Sequence, residues 1–276
     1  VANLPYKDRI VPSSLRMHLP EGTTIAEEVN WVRDAERQVQ LGEYVLEENS
    51  RRDNLMAVLD EYKDCFAYSL EDISQGYQGD WAPVEIKQLP GKYSRVGPRR
   101  MSEAEKKIQD HAMLPLLKVG IIERATGAKS ATNPVFAWKK GLDGSPTDIR
   151  VCYNYVGQNT CSESVQTSYP LGEELFQSLG EAKIFSRLDL RSGFYQIPLA
   201  EGSHDYAAFW WNNELYRPTR VVFGLKQAPA WFQGVMEYEL GKAGLHTVCK
   251  VFIDDILVFT CTWAEHLSVL KRLFRM

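Results

Sequence analysis

The stretch Val248–Thr260, VCKVFIDDILVFT, decides the fold. It contains two apolar runs, Val248–Phe252 and Ile256–Phe259, whose length and composition are typical of buried strands. Asp254 and Asp255 separate the two runs, which predicts a hairpin with two carboxylates at its tip. Aspartate is also a favoured turn residue, so this pair alone is compatible with a purely structural role.

A third aspartate has a similar position. Asp189 ends another apolar run, Ile184–Asp189, which also predicts a strand. If the two elements are neighbours in one sheet, three carboxylates converge, and such groups raise one another's pKa unless cations intervene. Oxygen ligands select hard cations such as Mg²⁺ or Mn²⁺. Two such ions about 3.5–4 Å apart can support in-line nucleotidyl transfer.

The other elements mix helices and strands without strict alternation, which predicts an α+β fold. Ser102 and Glu105 form a capping box for a helix that extends to Val119. Further predictions are helices over Thr23–Glu48, Asn54–Phe66 and Ala228–Leu240, a hairpin over Phe209–Tyr216, and a basic hairpin formed by Pro134–Trp138 and Arg150–Tyr153.

Composition excludes several classes of protein. The chain has 276 residues and a net charge of −4, and it contains no apolar run of the ~18 residues that a membrane span needs. Its charge is segregated: residues 21–90 carry 6 Lys/Arg and 16 Asp/Glu, whereas residues 91–150 carry 12 and 6. The five cysteines form no CxxC pair, which favours free thiols over a disulfide framework or a zinc site.

Short motifs in a fixed order carry a resemblance to a known family. They include FSRLDLRSGFYQI at 185–197, FGLKQAP at 223–229, FQ at 232–233 and FIDDIL at 252–257. Between Leu89 and Leu270, these and weaker motifs resemble the reverse transcriptase of gypsy-type LTR retrotransposons. The resemblance implies the fingers and palm of a right-hand polymerase, with a mixed or antiparallel palm sheet packed on helices and a helical N-terminal extension. It also implies two segments, 1–90 upstream of the polymerase and 91–276 as fingers and palm that stop before a thumb.

The resemblance implies specific site residues. Asp189, Asp254 and Asp255 would be catalytic and would bind two divalent ions, Mg²⁺ or Mn²⁺, with Asp255 the least certain direct ligand. Phe194 matches an aromatic gate under the sugar of the incoming nucleotide. The remaining nucleotide-binding positions are Lys139, Lys140, Arg150, Gly193, Gly224 and Lys226.

The function implied is RNA-directed DNA synthesis on a primer. The expected partners are an RNA or DNA template with its primer, deoxynucleoside triphosphates, and the rest of a polyprotein with thumb, RNase H and integrase. No membrane partner is expected, and the expected location is intracellular, in a cytoplasmic particle or the nucleus. The alternative is a nucleic-acid-binding remnant without activity, while the basic hairpin by itself is also compatible with a solvated surface.

Overall fold

The structure, a computed structural model, describes residues 32–34, 39–140, 146–165 and 177–276, without the side chains of 32–34 and 138–148. Contacts divide the chain into two compact units. The first comprises Val1–Glu61 with Lys140–Pro146, and the second comprises Tyr62–Lys139 with Thr147–Met276. The boundary therefore falls at Tyr62, while the predicted division at residue 90 stays a prediction.

The described part of the first unit corrects one predicted helix. Strand β1 (Val32–Asp34) pairs antiparallel with β2 (Val39–Leu41), so the helix expected over Thr23–Glu48 is wrong there. Helix α1 (Glu43–Leu46) and helix α2 (Asn49–Glu61) follow. The predicted helix at 54–66 therefore exists, but it begins and ends earlier.

The second unit contains the remaining elements. In chain order they are α3 (Glu103–Lys118), β3 (Ile122–Arg124), β4 (Pro134–Lys140), β5 (Pro146–Tyr153), α4 (Val156–Thr160), β6 (Ile184–Asp189), α5 (Glu201–His204), β7 (Phe209–Trp211), β8 (Glu214–Pro218), α6 (Ala228–Lys242), β9 (Cys249–Phe252), β10 (Asp255–Thr260) and α7 (Trp263–Arg275). Lys140, the last residue of β4, and Pro146, the first residue of β5, are assigned to the first unit. None of the helices in the described ranges combines the length and apolarity of a bilayer span.

The central sheet has the order β6–β10–β9, and both of its pairings are antiparallel. Because side chains alternate between the faces of a strand, each strand presents two different sets of residues. Ile256, Val258 and Val251 are buried on one face. Phe185 and Phe252 lie on the other face and are about half exposed.

Helices α6 and α7 pack on the buried face. Thr262 caps α7 by accepting a hydrogen bond from the backbone N–H of Glu265. The buried residues of α7 recur at helical spacing and include His266, Val269, Leu270 and Leu273. Burial of this stripe against the sheet fixes the strands that carry the three aspartates.

A second sheet, β3–β8–β7, packs against α3. The predicted capping box is confirmed, since Ser102 accepts from the N–H of Glu105 and the Glu105 side chain accepts from the N–H of Ser102. The hairpin predicted at Phe209–Tyr216 is confirmed as well. Asn212 and Asn213 have φ values of 49° and 61°, the left-handed conformation that a two-residue hairpin turn requires.

Candidate active site

The antiparallel register brings the predicted carboxylates together. Asp189 on β6 lies directly opposite Asp255 on β10, and their side chains point to the same face of the sheet. Residues opposed in this way have Cβ atoms roughly 4.5–5.5 Å apart. Asp254 occupies the turn between β9 and β10, and its carbonyl accepts a hydrogen bond of 2.9 Å from the N–H of Leu190. The spatial convergence that the sequence argument needs is therefore present.

Asp254 carries the clearest electrostatic signature. Its Oδ1 atom is buried and has no hydrogen-bond partner among the described residues. Burial raises the pKa of Asp254, and the nearby charges of Asp189 and Asp255 raise it further. An unpartnered carboxylate oxygen held beside two other carboxylates is suited to binding a cation.

The turn that carries Asp254 is held from helix α6. Ile253 has a φ of 53°, a strained conformation for a β-branched residue. The buried side chain of Gln233 accepts a hydrogen bond of 3.3 Å from the N–H of Ile253 and donates one of 3.1 Å to the carbonyl of Val251. Gln233 therefore fixes the backbone on both sides of Phe252, immediately before the turn that carries Asp254.

Gly193 lies where only a glycine fits. A Cβ atom at this position would stand 2.7 Å from the ring of Phe232 and 3.2 Å from Oδ1 of Asp254. The backbone after Asp189 can thus approach the turn that carries Asp254 closely. The structure places Gly193 beside the aspartates, and its part in nucleotide binding remains a prediction.

Phe194 belongs to an aromatic cluster and is only 7% exposed. Its ring centroid lies 5.0 Å from that of Phe223 and 5.6 Å from that of Phe232. Phe223 is 39% exposed and also contacts Tyr195 edge-on. Phe223 is therefore more exposed than Phe194, the ring it packs against. The sequence analysis gave Phe223 no role.

Gly224 and Lys226 lie in a loop held by neighbouring polar groups. Gly224 has a φ of 97°, and a Cβ atom there would stand 3.2 Å from both the carbonyl of Tyr153 and the ring of Tyr155. The side chain of Asn159 donates to the carbonyl of Gly224 and accepts from the N–H of Lys226. The ammonium group of Lys226 donates to the carbonyl of Ser162, so its side chain secures this loop in the structure.

The predicted triphosphate-binding residues lie on the β4–β5 hairpin. Lys139 and Lys140 stand on the last positions of β4, and their side chains lie outside the described residues. Arg150 is exposed on β5. Burial raises the pKa of the Tyr195 phenol, and the positive charge of Arg150 lowers it by a smaller amount. Arg150 is therefore within electrostatic range of the residue that follows Phe194.

Sequence reasoning missed an ion pair beside the aspartates. Nε of Arg187 lies 2.8 Å from Oδ1 of Asp255, and Nη2 of Arg187 lies 3.1 Å from Oδ2. Arg187 precedes Asp189 by two residues on the same strand, a spacing that places both side chains on one face. That spacing was a usable signal for Arg187, whereas Gln233 entered only as part of the FQ motif at 232–233 and was given no role.

The carboxylates fit a divalent cation in part. The donor set consists of oxygens alone, as Mg²⁺ or Mn²⁺ would require, and Oδ1 of Asp254 has no hydrogen-bond partner among the described residues but is buried. However, both oxygens of Asp255 accept from Arg187, and no three His, Cys, Asp or Glu side chains in the described ranges are arranged to hold one ion between them. The prediction that Asp189, Asp254 and Asp255 bind metal therefore stays a prediction.

Comparison with known proteins identifies relatives of the chain. Residues 147–276 match the sequence model of the family described as reverse transcriptase (RNA-dependent DNA polymerase). The retrovirus-related Pol polyprotein from transposon 412 of Drosophila melanogaster is 29% identical over 231 residues, 81% of this chain and 18% of the relative. The enzymatic polyprotein of Cauliflower mosaic virus (strain NY8153) is 30% identical over 188 residues, 68% of this chain and 27% of the relative. The chain therefore spans about a quarter or less of the length of these two relatives.

Solved structures share the fold. The foamy viral protease-reverse transcriptase dRH in complex with double-stranded DNA has a TM-score of 0.72 at 20% identity. The match covers 96% of this chain and 44% of the foamy viral chain. The same enzyme in complex with an RNA/DNA hybrid has a TM-score of 0.70 at 19% identity, with coverage of 96% and 34%. At this identity the likeness establishes the fold alone, and it confirms the predicted α+β class with fingers and palm.

Proposed function

We propose that this chain is an RNA-directed DNA polymerase, a nucleotidyltransferase that extends a primer. The premise is that it carries a reverse transcriptase domain of the kind found in retroelement polyproteins. One observation carries the proposal: the register that sets Asp189 opposite Asp255, beside the buried and unpartnered oxygen of Asp254. Three carboxylates at a sheet edge are costly for a fold to maintain, which favours a function for them.

The chain's own residues would act mainly by position. Asp189 and Asp254 would hold two Mg²⁺ or Mn²⁺ ions, and Gln233 would fix the turn that aims Asp254. When bound, the ions supply the charge that activates the primer hydroxyl and stabilises the leaving pyrophosphate. In this proposal Asp255 completes the catalytic trio as a third negative charge at the same edge.

The nucleotide would lie between the carboxylates and the fingers hairpin. The ring of Phe194, backed by Phe223 and Phe232, is held firmly enough to act as a steric gate against a 2′-hydroxyl. Arg150, with Lys139 and Lys140, would neutralise the triphosphate, because guanidinium and ammonium groups bind phosphate oxygens strongly. The backbone at Gly193, Gly224 and Lys226 would line the nucleotide pocket; Gly193 packs against Phe232 and Asp254, and Gly224 packs against Tyr153 and Tyr155.

The finer assignment is also proposed. The chain would be part of a gypsy-type LTR retrotransposon polyprotein, with 1–90 preceding the polymerase and 91–276 forming its fingers and palm. The solved relatives were captured with double-stranded DNA and with an RNA/DNA hybrid, which supports an RNA or DNA template with primer as the partner. The proposal also includes two divalent ions as cofactors and deoxynucleoside triphosphates as substrates. Its further partners are the thumb, RNase H and integrase of the same polyprotein, and its location is intracellular.

Metal-dependent primer extension on an RNA template tests the proposal. With the full chain and Mg²⁺, Asp254→Asn should reduce extension by roughly 10³-fold or more while circular dichroism remains unchanged. The matched control is Glu181→Gln, which removes an exposed carboxylate near the opposite end of β6 and should leave the rate within about twofold. Salt-sensitive binding of the primer–template without any extension would instead support the alternative of a non-enzymatic remnant.

A further inference from the structure

The loop formed by residues 191–196 carries Phe194, the ring that would exclude a ribose 2′-hydroxyl. Its last four residues, Gly193–Gln196, form one turn of 3₁₀ helix. The side-chain amide of Gln196 donates a hydrogen bond of 2.9 Å to the carbonyl of Arg191, which joins the two ends of the loop. The position of the Phe194 backbone therefore depends on what holds Gln196.

A second turn, formed by residues 74–77, holds the carbonyl of Gln196. This carbonyl accepts a hydrogen bond of 2.7 Å from the N–H of Tyr77 and one of 3.4 Å from Nη1 of Arg220. Nη2 of Arg220 donates to the carbonyls of Ser74 and Gln75, at 3.0 and 3.2 Å. One guanidinium group thus joins the 74–77 turn to the loop that carries Phe194.

The partners of Arg220 are main-chain carbonyls. The residue is half-buried, and burial lowers the pKa of its guanidinium. Within the described ranges, no carboxylate forms an ion pair with it, so its charge is compensated by carbonyl dipoles. A planar group with five donors can hold several carbonyls in a fixed arrangement, which a lysine cannot do. Arg220 therefore fixes backbone positions and does not serve to neutralise an acidic side chain.

Gly76 leaves room for this guanidinium. Its φ is 63°, the left-handed region that favours glycine. A Cβ atom there would overlap Nη1 of Arg220 and would stand 2.9 Å from the carbonyl oxygen of Gln196. The close approach of the 74–77 turn to the loop thus requires a glycine at this position.

We infer that Arg220 is a positioning residue that acts through the carbonyl of Gln196 and sets how strictly Phe194 excludes ribonucleotides. The inference rests on the proposed function, because it concerns the choice of nucleotide in that reaction. Repulsion between atoms in contact changes over tenths of an ångström. Selection against one hydroxyl group is therefore more sensitive to a small shift of the ring than the rate of deoxynucleotide addition is.

Single-nucleotide incorporation by the full chain, with Mg²⁺ and a primer on an RNA template, tests the inference. The measured quantity is the ratio of kcat/KM for a deoxynucleotide to kcat/KM for the ribonucleotide with the same base. Arg220→Met removes the contacts to all three carbonyls and should lower this ratio about tenfold, while kcat for the deoxynucleotide stays within about threefold. Arg220→Lys should give an intermediate ratio, because its ammonium group lacks the planar fork. Equal losses of kcat/KM for both nucleotides would mean that Arg220 only stabilises the fold, which would overturn the inference.

Gly76→Ala and Gly91→Ala form a matched pair. Both glycines have a left-handed φ, 63° and 70°, so both substitutions introduce similar backbone strain. A Cβ atom at Gly91 would have nothing within 4 Å, whereas one at Gly76 would displace Arg220. Only Gly76→Ala should lower the selection ratio, and equal ratios in the two variants would contradict the inference. This pair also decides the question if Arg220→Met does not fold, as circular dichroism would show.

The double variant Phe194→Val with Arg220→Met identifies the route of the effect. If Arg220 acts through Phe194, the double variant should have the same selection ratio as Phe194→Val alone. Multiplied losses would mean that Arg220 acts independently of this ring, and the inference would fail.

The outcomes separate this inference from the proposed function. If the unsubstituted chain extends the primer but Arg220→Met and Gly76→Ala keep its selection ratio, the inference fails and the polymerase stands. If the unsubstituted chain incorporates neither kind of nucleotide, the proposed function and the inference both fail.

Discussion

The two faces of the β6–β10–β9 sheet are built from alternate residues of the same strands, yet they serve opposite purposes. The face toward α6 and α7 is apolar, and its polar groups are paired: His266 is hydrogen-bonded to Ser186 at 2.7 Å and to Thr260 at 2.8 Å. The opposite face carries Asp189, Asp255 and exposed phenylalanines. One face is arranged for stability, whereas the other accumulates negative charge that a fold alone would not favour.

The largest expected difference between the faces comes from two adjacent residues of β10. Ile256 is 3% exposed on the helix-covered face, and Leu257 is half-buried on the other. Ile256→Ala should lower the free energy of unfolding by about 2–5 kcal/mol, because it leaves a cavity in the core. Leu257→Ala should cost less than half as much. Urea unfolding measures both, and equal losses would mean that the two faces are equally buried in solution.

Acidification should weaken the buried face next. Burial lowers the pKa of His266 to about 4, below its ordinary value of 6.5, so the unfolded chain binds more protons between these pH values. Stability should therefore fall as the pH drops from about 6.5 to about 4, by about 3 kcal/mol at most. His266→Gln should flatten this part of the pH profile, and an unchanged slope in that variant would show that another group is responsible.

Gln233 connects the two faces, because it extends from helix α6 to the backbone beside the turn that carries Asp254. Gln233→Leu would leave the N–H of Ile253 and the carbonyl of Val251 without their partner, at a cost of about 1–3 kcal/mol. Primer extension should fall by about tenfold to a hundredfold, since small displacements of catalytic groups are expensive.

Glu237→Ala is the matched control for Gln233. It removes the other partner of the Gln233 amide but keeps both bonds to the turn, so extension should stay within about threefold. Equal losses of extension in the two variants would show that Gln233 acts through the helix and not through the turn.

The sequence predicted the difference between the two sheet faces only where it depends on patterns of neighbouring residues. Apolar runs and the aspartates at their ends predicted the strands, and the Ser102–Glu105 capping box predicted the start of α3. The spacing of Val29, Val32 and Val39 fits a helix, but β1 and β2 pair there, since tertiary pairing can override a weak helical period. The Gln233 contacts join residues about twenty positions apart through packing, which no local pattern encodes.

The turn between β9 and β10 should gain stability when Asp254 loses its charge. Because burial and the neighbouring aspartates raise the pKa of Asp254 in the folded state, its ionisation opposes folding once the pH rises through that pKa. Asp254→Asn should therefore raise Tm at pH 7 without metal, by no more than roughly 4 °C, and the difference should vanish near pH 3, where both states are protonated. Excess Mn²⁺ should reverse the order, since only the aspartate gains from binding the cation. A lower Tm for Asp254→Asn at pH 7 would mean that the ionised carboxylate has a stabilising partner in solution, and the contrast between the faces would then be smaller than the structure indicates.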